Sequence, residues 1–230
     1  MKGKDLTERV YKDMKKDLML RRLPVNEMIS EQMFADRYDC SRTPAREAAG
    51  RLVSEGFLNK FPSKGYIVRL LDDREASEAR YTRFVLESAA LQRSVFSAYV
   101  EEFAGLYKLL ERDEGDPDAI YFENMRFHCE LARLSRNRVM VDMIERLHCK
   151  LSPVEVEKFY QSGKIVYKPG EYEEKVYDAP NCHREIIEAL IRQDVKEAIK
   201  WLFWDIYPNM RDRITFNSSS VDYLSELTIE

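Results

Sequence analysis

Ser41-Arg42-Thr43-Pro44-Ala45-Arg46-Glu47-Ala48 is the stretch that decides the reading of this chain. Ser41 can cap a helix, and Pro44 falls in its first turn, where a missing N–H costs little. Ala45, Ala48, Ala49, Leu52 and Val53 recur as a buried stripe, and Gly56 closes the helix. Arg42 and Arg46 are four apart, so they share one face.

Upstream, Leu6, Val10, Met14 and Leu18 recur every four residues and predict a first amphipathic helix. It ends before Leu23-Pro24-Val25-Asn26, where Asn26 can take the left-handed conformation of a tight turn. Ser30 is a good N-cap for a second helix that turns Met33, Phe34 and Tyr38 inward. Downstream, Phe57–Phe61 and Tyr66–Leu70 read as two strands joined by Pro62-Ser63-Lys64-Gly65. Helix, turn, capped helix and basic hairpin, in that order, suit a surface that lies in the major groove of double-stranded DNA. On this reading Ser41, Arg42, Thr43 and Arg46 meet base edges, where Arg matches guanine with two parallel donors. Lys64, beside the permissive Gly65, touches a phosphate or the minor groove, and Gln32 contacts the DNA backbone. A lone Arg-x-x-x-Arg would signify only an exposed polar face; the ordered set carries the inference.

The 230 residues suffice for two modest domains, and 44% apolar with 34% charged residues describes a globular, helix-rich chain. No run approaches the length of a membrane span, and MKGKDLTERVYKD lacks the apolar core of a secretory signal, so a cytoplasmic protein is expected. Cys40, Cys129, Cys149 and Cys182 show no CxxC spacing and read as reduced thiols. The net charge of -4 is uneven: residues 1–70 hold 15 Lys and Arg against 10 Asp and Glu, and the rest hold 22 against 31. A basic head on an acidic body fits a head that meets phosphates.

Beyond Asp72, helical periodicity dominates residues 74–100, 101–112, 117–135, 137–150 and 181–212, the last with interruptions. The fold class is therefore mainly α, a winged helix-turn-helix followed by an all-helical antiparallel bundle. Residues 1–71 are expected to form the DNA-binding domain, 72–76 a linker, 77–216 an all-helical second domain, and 217–230 a tail. Segment 152–181, with Gly163, Pro169, Gly170, Pro180 and four tyrosines, reads as a long loop, serving either as a lid or as an extra packed helix.

The segment LPVNEMISEQMFADRYDCSRTPAREAAGRLVSEGFLNKFPSKGYIV resembles the winged helix-turn-helix of GntR-family bacterial transcription regulators. The family pattern has a Pro-x-Gly turn, Leu-x-Glu, Ser-Arg-Thr-Pro-Val-Arg-Glu-Ala, Glu-Gly and a Gly-x-x-Val wing. Here Asn26 stands for the turn glycine, Ile29 for the leucine and Ala45 for the valine. The body is similar to the all-helical FadR C-terminal (FCD) type in three passages. These are Arg83-Phe84-Val85-Leu86-Glu87, then Asn124-Met125-Arg126-Phe127-His128 with Asn137, and His183-Arg184-Glu185-Ile186 with Asp194 and Ala198.

The resemblance implies a homodimer on a palindromic operator, regulated, in the repressor sense, by a small organic-acid or sugar-acid effector. In many such proteins one Asp and three His hold a metal beside the effector. Carried over by position, those sites are Asn124, His128, His183 and Asp205. Asn124 replaces the usual Asp and Asp205 the last His, a two-nitrogen, two-oxygen set that could still hold Zn²⁺, Ni²⁺ or Mn²⁺. The alternative is a polar pocket without metal. Arg83 is the candidate for the effector's carboxylate, with Asn137 beside it, or else Arg83 pairs along its helix with Glu87. His148 reads as a surface or capping residue. The pairs His128-Cys129, His148-Cys149 and Cys182-His183 read as accidental, because helix neighbours diverge by about 100°. Two further classes stay open: a metal-dependent hydrolase using His128, His183 and Asp205 with Glu123 or Glu185 as base, and a regulator with a metal-free acyl-CoA pocket.

Overall fold

In the computed structural model, residues 2–110, 117–161 and 179–207 are described. They form two compact units, one of residues 2–76 with 149–161 and one of residues 77–110, 117–148 and 179–207.

The first unit opens with α1 (Lys2–Met19), which packs on α3 (Arg42–Ser54). Val10, Met14 and Leu18 lie wholly inside, at the four-residue spacing that marks the helix. Arg51 of α3 lies 3.6 Å over the Tyr11 ring, and Tyr11 donates to Glu55 at 2.7 Å. Asn26 takes φ +64°, and Ser30 caps α2 (Glu31–Arg37) by accepting from the Met33 N–H. Phe34, Ala35 and Tyr38 turn inward, but Met33 is 49% exposed, contrary to the sequence reading. Phe34 and Tyr38, four apart, define the inner face of this seven-residue helix, and Met33 lies about 100° off Phe34. Asp39 takes φ +46° in the turn before α3, a conformation Asp tolerates.

Gly56, at φ +79°, ends α3, and β1 (Leu58–Phe61) pairs antiparallel with β2 (Gly65–Val68), Phe61 opposite Gly65. The residues before α2 join this wing as a partial third strand. Ile29 N–H donates to Tyr66 O at 2.8 Å, and Tyr66 N–H donates back at 2.9 Å.

The second unit is helical throughout its described residues. It comprises most of α4 (Asp73–Ser97), then α5 (Val100–Gly105), a 3₁₀ turn (Leu106–Leu109), α6 (Pro117–Arg133), the first part of α7 (Arg138–Gln161), α8 (Ala179–Ile191) and α9 (Val195–Ile206). Phe84, Leu91, Phe103, Phe127, Leu131, Ile186, Leu190, Ile199 and Leu202 share one core, and each fully buried side chain of this kind contributes roughly 1.5–3 kcal/mol. The stretch expected as one interrupted helix from 181 is two: Gln193 turns at φ +59°, and Asp194 caps α9 through the Glu197 N–H.

Over its first part, segment 152–181 follows the packed-helix alternative, as an extension of α7. α7 continues through Pro153 to Gln161, although a proline there leaves the Cys149 carbonyl without its usual helical N–H. Packing in the first unit outweighs that loss: Leu151, Ser152 and Val156 are buried, and Ser152 Oγ donates to Met19 O at 2.8 Å. Residues 162–178, where the lid was expected, and the tail 217–230 lie outside the described residues.

Candidate functional site

The first surface is the start of α3. Ser41, Arg42, Thr43 and Arg46 are exposed, while Pro44, Ala45, Ala48 and Ala49 hold the other face inside. Gln32 is exposed on α2 and accepts from Arg42 Nε while donating to Asp36 Oδ1 at 2.6 Å. Arg42 is thus held at its Nε from the preceding helix while the residue as a whole stays exposed. Lys64 is exposed in the wing turn. Gly65 follows Lys64 in that turn. At φ +129° a Cβ would lie 2.4 Å from Ile29 O, so only glycine fits.

The second site is a buried polar cluster inside the helical unit. α4 supplies Arg83 and Glu87, α6 His128, α7 His148, α8 His183 and α9 Asp205, and all six are at most 5% exposed. Arg83 Nε donates to Glu87 Oε1 at 2.7 Å. Glu87 Oε2 lies 2.7 Å from His128 Nδ1, and Oε1 lies 3.1 Å from His148 Nε2. On its other side His128 Nε2 lies 2.9 Å from Asp205 Oδ2, with His183 Nε2 3.4 Å from Asp205 Oδ1. Arg83 Nη2 is 3.9 Å from Asp205 Oδ2. The His183 ring stacks on Phe127 at 3.8 Å, which fixes its plane. Asn124 lies one turn before His128 on α6.

Electrostatics follow from this burial. Burial pushes the Glu87 carboxyl up, but Arg83 and then His128 outweigh it and hold it well below the usual carboxylate range. Burial pushes His128 down, yet Glu87 and Asp205 prevail and raise it to about 8. His148 is pushed down to about 3, by burial first and Arg83 second, so it is neutral. Burial pushes the Asp205 carboxyl up too, but His183 and His128 outweigh it and bring it below its ordinary value.

His128 Nε2, both Asp205 oxygens and Asn124 Oδ1 are buried and make no well-formed hydrogen bond among the described residues. In a tetrahedral zinc site with bonds near 2.05 Å, neighbouring ligand atoms stand about 3.3 Å apart; the 2.9 and 3.4 Å found here bracket that spacing. The donor set therefore fits a divalent cation, and His128, His183 and Asp205 lie within 4.8 Å of one another.

The winged helix-turn-helix and the helical unit each match a known sequence profile. Residues 6–68 match the bacterial regulatory proteins of the gntR family, and residues 78–202 match the FCD domain. The chain belongs to this family. Among relatives of this GntR chain, the HTH-type transcriptional regulator McbR of Escherichia coli (strain K12) is 29% identical over 158 residues, covering 66% of this chain and 72% of McbR. The Nta operon transcriptional regulator of Aminobacter aminovorans is 34% identical over 125 residues, covering 53% of this chain and 60% of that protein. The solved structure of E. coli McbR/YncC superposes with a TM-score of 0.73 at 24% identity, over 89% of this chain and 95% of that one. A GntR regulator from Rhodococcus sp. RHA1 gives 0.66 at 16% identity, over 97% and 99%; these likenesses speak for the fold. A GntR/FCD chain is a DNA-binding transcription regulator, so the hydrolase alternative falls away.

One residue of the regulator's helical unit departs from the sequence reading, and two others gain a defined partner. His148 is 1% exposed and bound to Glu87, not a surface or capping group. Its spacing showed this, since Val141, Ile144, His148 and Leu151 lie on one buried face of α7. Asn137 caps α7, its side-chain oxygen accepting from the Met140 N–H. Arg83 makes the intrahelical pair with Glu87, which leaves Glu87 as the hub that the sequence reading treated only as Arg83's companion. Cys129, Cys149 and Cys182 are buried thiols beside the histidines, and no cysteine belongs to either ligand group among the described residues.

Proposed function

We propose that this GntR-family protein binds a palindromic operator as a homodimer and represses transcription until a small carboxylate effector binds its helical domain. Ser41, Arg42, Thr43 and Arg46 read bases in the major groove, with Gln32 and the wing residues Lys64 and Gly65 on the DNA backbone. The observation that supports this most is the exposed Arg42–Arg46 face on a helix whose opposite face is wholly buried.

In the helical domain, Asn124, His128, His183 and Asp205 hold a divalent cation such as Zn²⁺, Ni²⁺ or Mn²⁺. When bound, the cation would supply positive charge to an anionic oxygen. Charge balance supports an anionic effector. Arg83 and a divalent cation bring three positive charges, while Glu87 and Asp205 bring two negative ones, which leaves room for one carboxylate. Asn137 and Arg83 frame that site in the same reading, Arg83 through the guanidinium nitrogens beyond Nε. An effector changes operator affinity only through unequal affinity for the two states of the regulator, commonly 5–150-fold.

The test is a gel shift on DNA upstream of the chain's own gene, with Arg42→Ala and Arg46→Ala as separate variants. Each loses tenfold or more in affinity if these residues read bases; retained binding in both removes α3 as the reading helix. The same assay with Zn²⁺ and a panel of organic and sugar acids tests the effector. Operator release by an acid only in metal-loaded protein supports the reading, and a chelator-independent response leaves the metal-free pocket.

A further inference from the structure

His128 belongs to two groups of potential metal ligands at once. One is Glu87–His128–His148 and the other is His128–His183–Asp205, each with its atoms within 4.8 Å of one another. One neutral imidazole has one N–H and one lone pair, so it serves the two sides differently. The Glu87 side already has its cation, because Arg83 Nε lies 2.7 Å from Glu87 Oε1. An ionised Glu87 can only accept, so it calls for a proton on His128 Nδ1 at 2.7 Å and on His148 Nε2 at 3.1 Å. The Asp205 side is less well made: His128 Nε2 and Asp205 Oδ2 pair at 2.9 Å, longer than the 2.7 Å to Glu87, and at a poorer hydrogen-bond angle.

We propose that Glu87 is a positioning residue, which takes the Nδ1–H of His128 so that the Nε2 lone pair faces His183 and Asp205, and thereby sets the affinity of that cluster for a divalent cation. This rests on the metal reading above and adds the residue that orients its central ligand. Glu87 is itself held from two helices, by Arg83 one turn earlier on α4 and by His148 on α7. The carboxylate therefore cannot swing away when His128 turns. A hydrogen-bonded carboxylate behind a ligating imidazole fixes the tautomer and raises ligand basicity, and its loss costs 10–100-fold in metal affinity.

Two measurements test it on the full chain. In long-range ¹H–¹⁵N histidine spectra of chelator-treated protein at pH 9, His128 shows the Nδ1–H tautomer; an Nε2–H tautomer overturns the proposal without any metal and without any variant. In chelator competition, Glu87→Gln binds Zn²⁺ 10–100-fold more weakly than the unaltered chain, and the Zn²⁺-induced rise in Tm shrinks. A Glu87 that only stabilised the fold would lower Tm with and without Zn²⁺ alike, and equal Zn²⁺ affinity in the two proteins overturns the proposal. If the unaltered chain takes up no Zn²⁺, the metal reading fails, and with it the part of this inference that concerns affinity. Should Glu87→Gln not fold, the tautomer of the unaltered chain decides.

Discussion

Gly65→Ala separates backbone fit from DNA contact in the wing. The added Cβ would stand 2.4 Å from Ile29 O, 3.0 Å from its carbon and 3.3 Å from Ser30 Cα, on a backbone at φ +129°. All three atoms are main chain, so no side-chain rotation relieves the overlap. β2 must part from the segment before α2, stretching the two Ile29–Tyr66 bonds of 2.8 and 2.9 Å. Strain at such a backbone position costs about 1–3 kcal/mol, and each lost bond about 1 kcal/mol more. The sum, roughly 2–5 kcal/mol, lowers the melting of a unit of this size by about 10–30 °C. Differential scanning calorimetry of the full chain measures it. Lys64→Ala is the contrast: it leaves Tm nearly unchanged and reduces the slope of log affinity against log salt by about 1, as loss of one phosphate contact does. A Gly65→Ala protein melting within two or so degrees of the unaltered chain would refute the reasoning, since the close approach to Ile29 would then impose nothing.

Three further outcomes follow from the helical unit and α7. In chelator-treated protein, His128 titrates near 8 when folded against about 6.5 unfolded, so its contribution is full below pH 6.5 and is lost as pH rises through 8, about 2 kcal/mol in all. His148, lowered to about 3, acts in the opposite sense and costs stability as pH falls from 6.5 toward 3. Urea midpoints therefore peak near pH 6.5 in the metal-free chain; a midpoint that keeps rising through pH 8 contradicts this. Asn124→Asp adds an anionic ligand and tightens Zn²⁺ binding about tenfold, worth about 1.4 kcal/mol; weaker binding would remove position 124 from the ligand set. Ser152→Ala strips a buried hydroxyl from Met19 O and lowers stability by about 1 kcal/mol in urea titration, and no change would deny α7 its packing on α1.

The DNA-binding unit was legible because its signals are local. Ser30 caps α2, Asn26 turns at positive φ, and a four-residue apolar period made α1. Met33 misled because a two-turn helix has too few residues to establish a period, and Phe34 with Tyr38 set its face. The helix expected over 137–150 runs on through Pro153, because buried neighbours on both sides outweigh the hydrogen bond that proline removes. In the buried cluster, sequence placed Asn124, His128, His183 and Asp205 by resemblance and missed Glu87 and His148, whose roles depend on contacts between helices. Charge on an apolar face was the available clue: Asp205 lies among Ala198, Ile199, Leu202 and Ile206 on α9, a position a carboxylate occupies only when partnered.

Asp205 also bears on how relatives of this chain are compared. In the proposed metal site, the one carboxylate lies on α9 and an amide lies on α6, where the resemblance leads one to expect the reverse placement of the anion. The two layouts hold equal charge, but every single substitution between them adds or removes one full charge beside the buried histidines. Covariation of positions 124 and 205 is therefore the expected signature among homologues. A comparison that scores each column separately would record two losses where the anion has only changed helices.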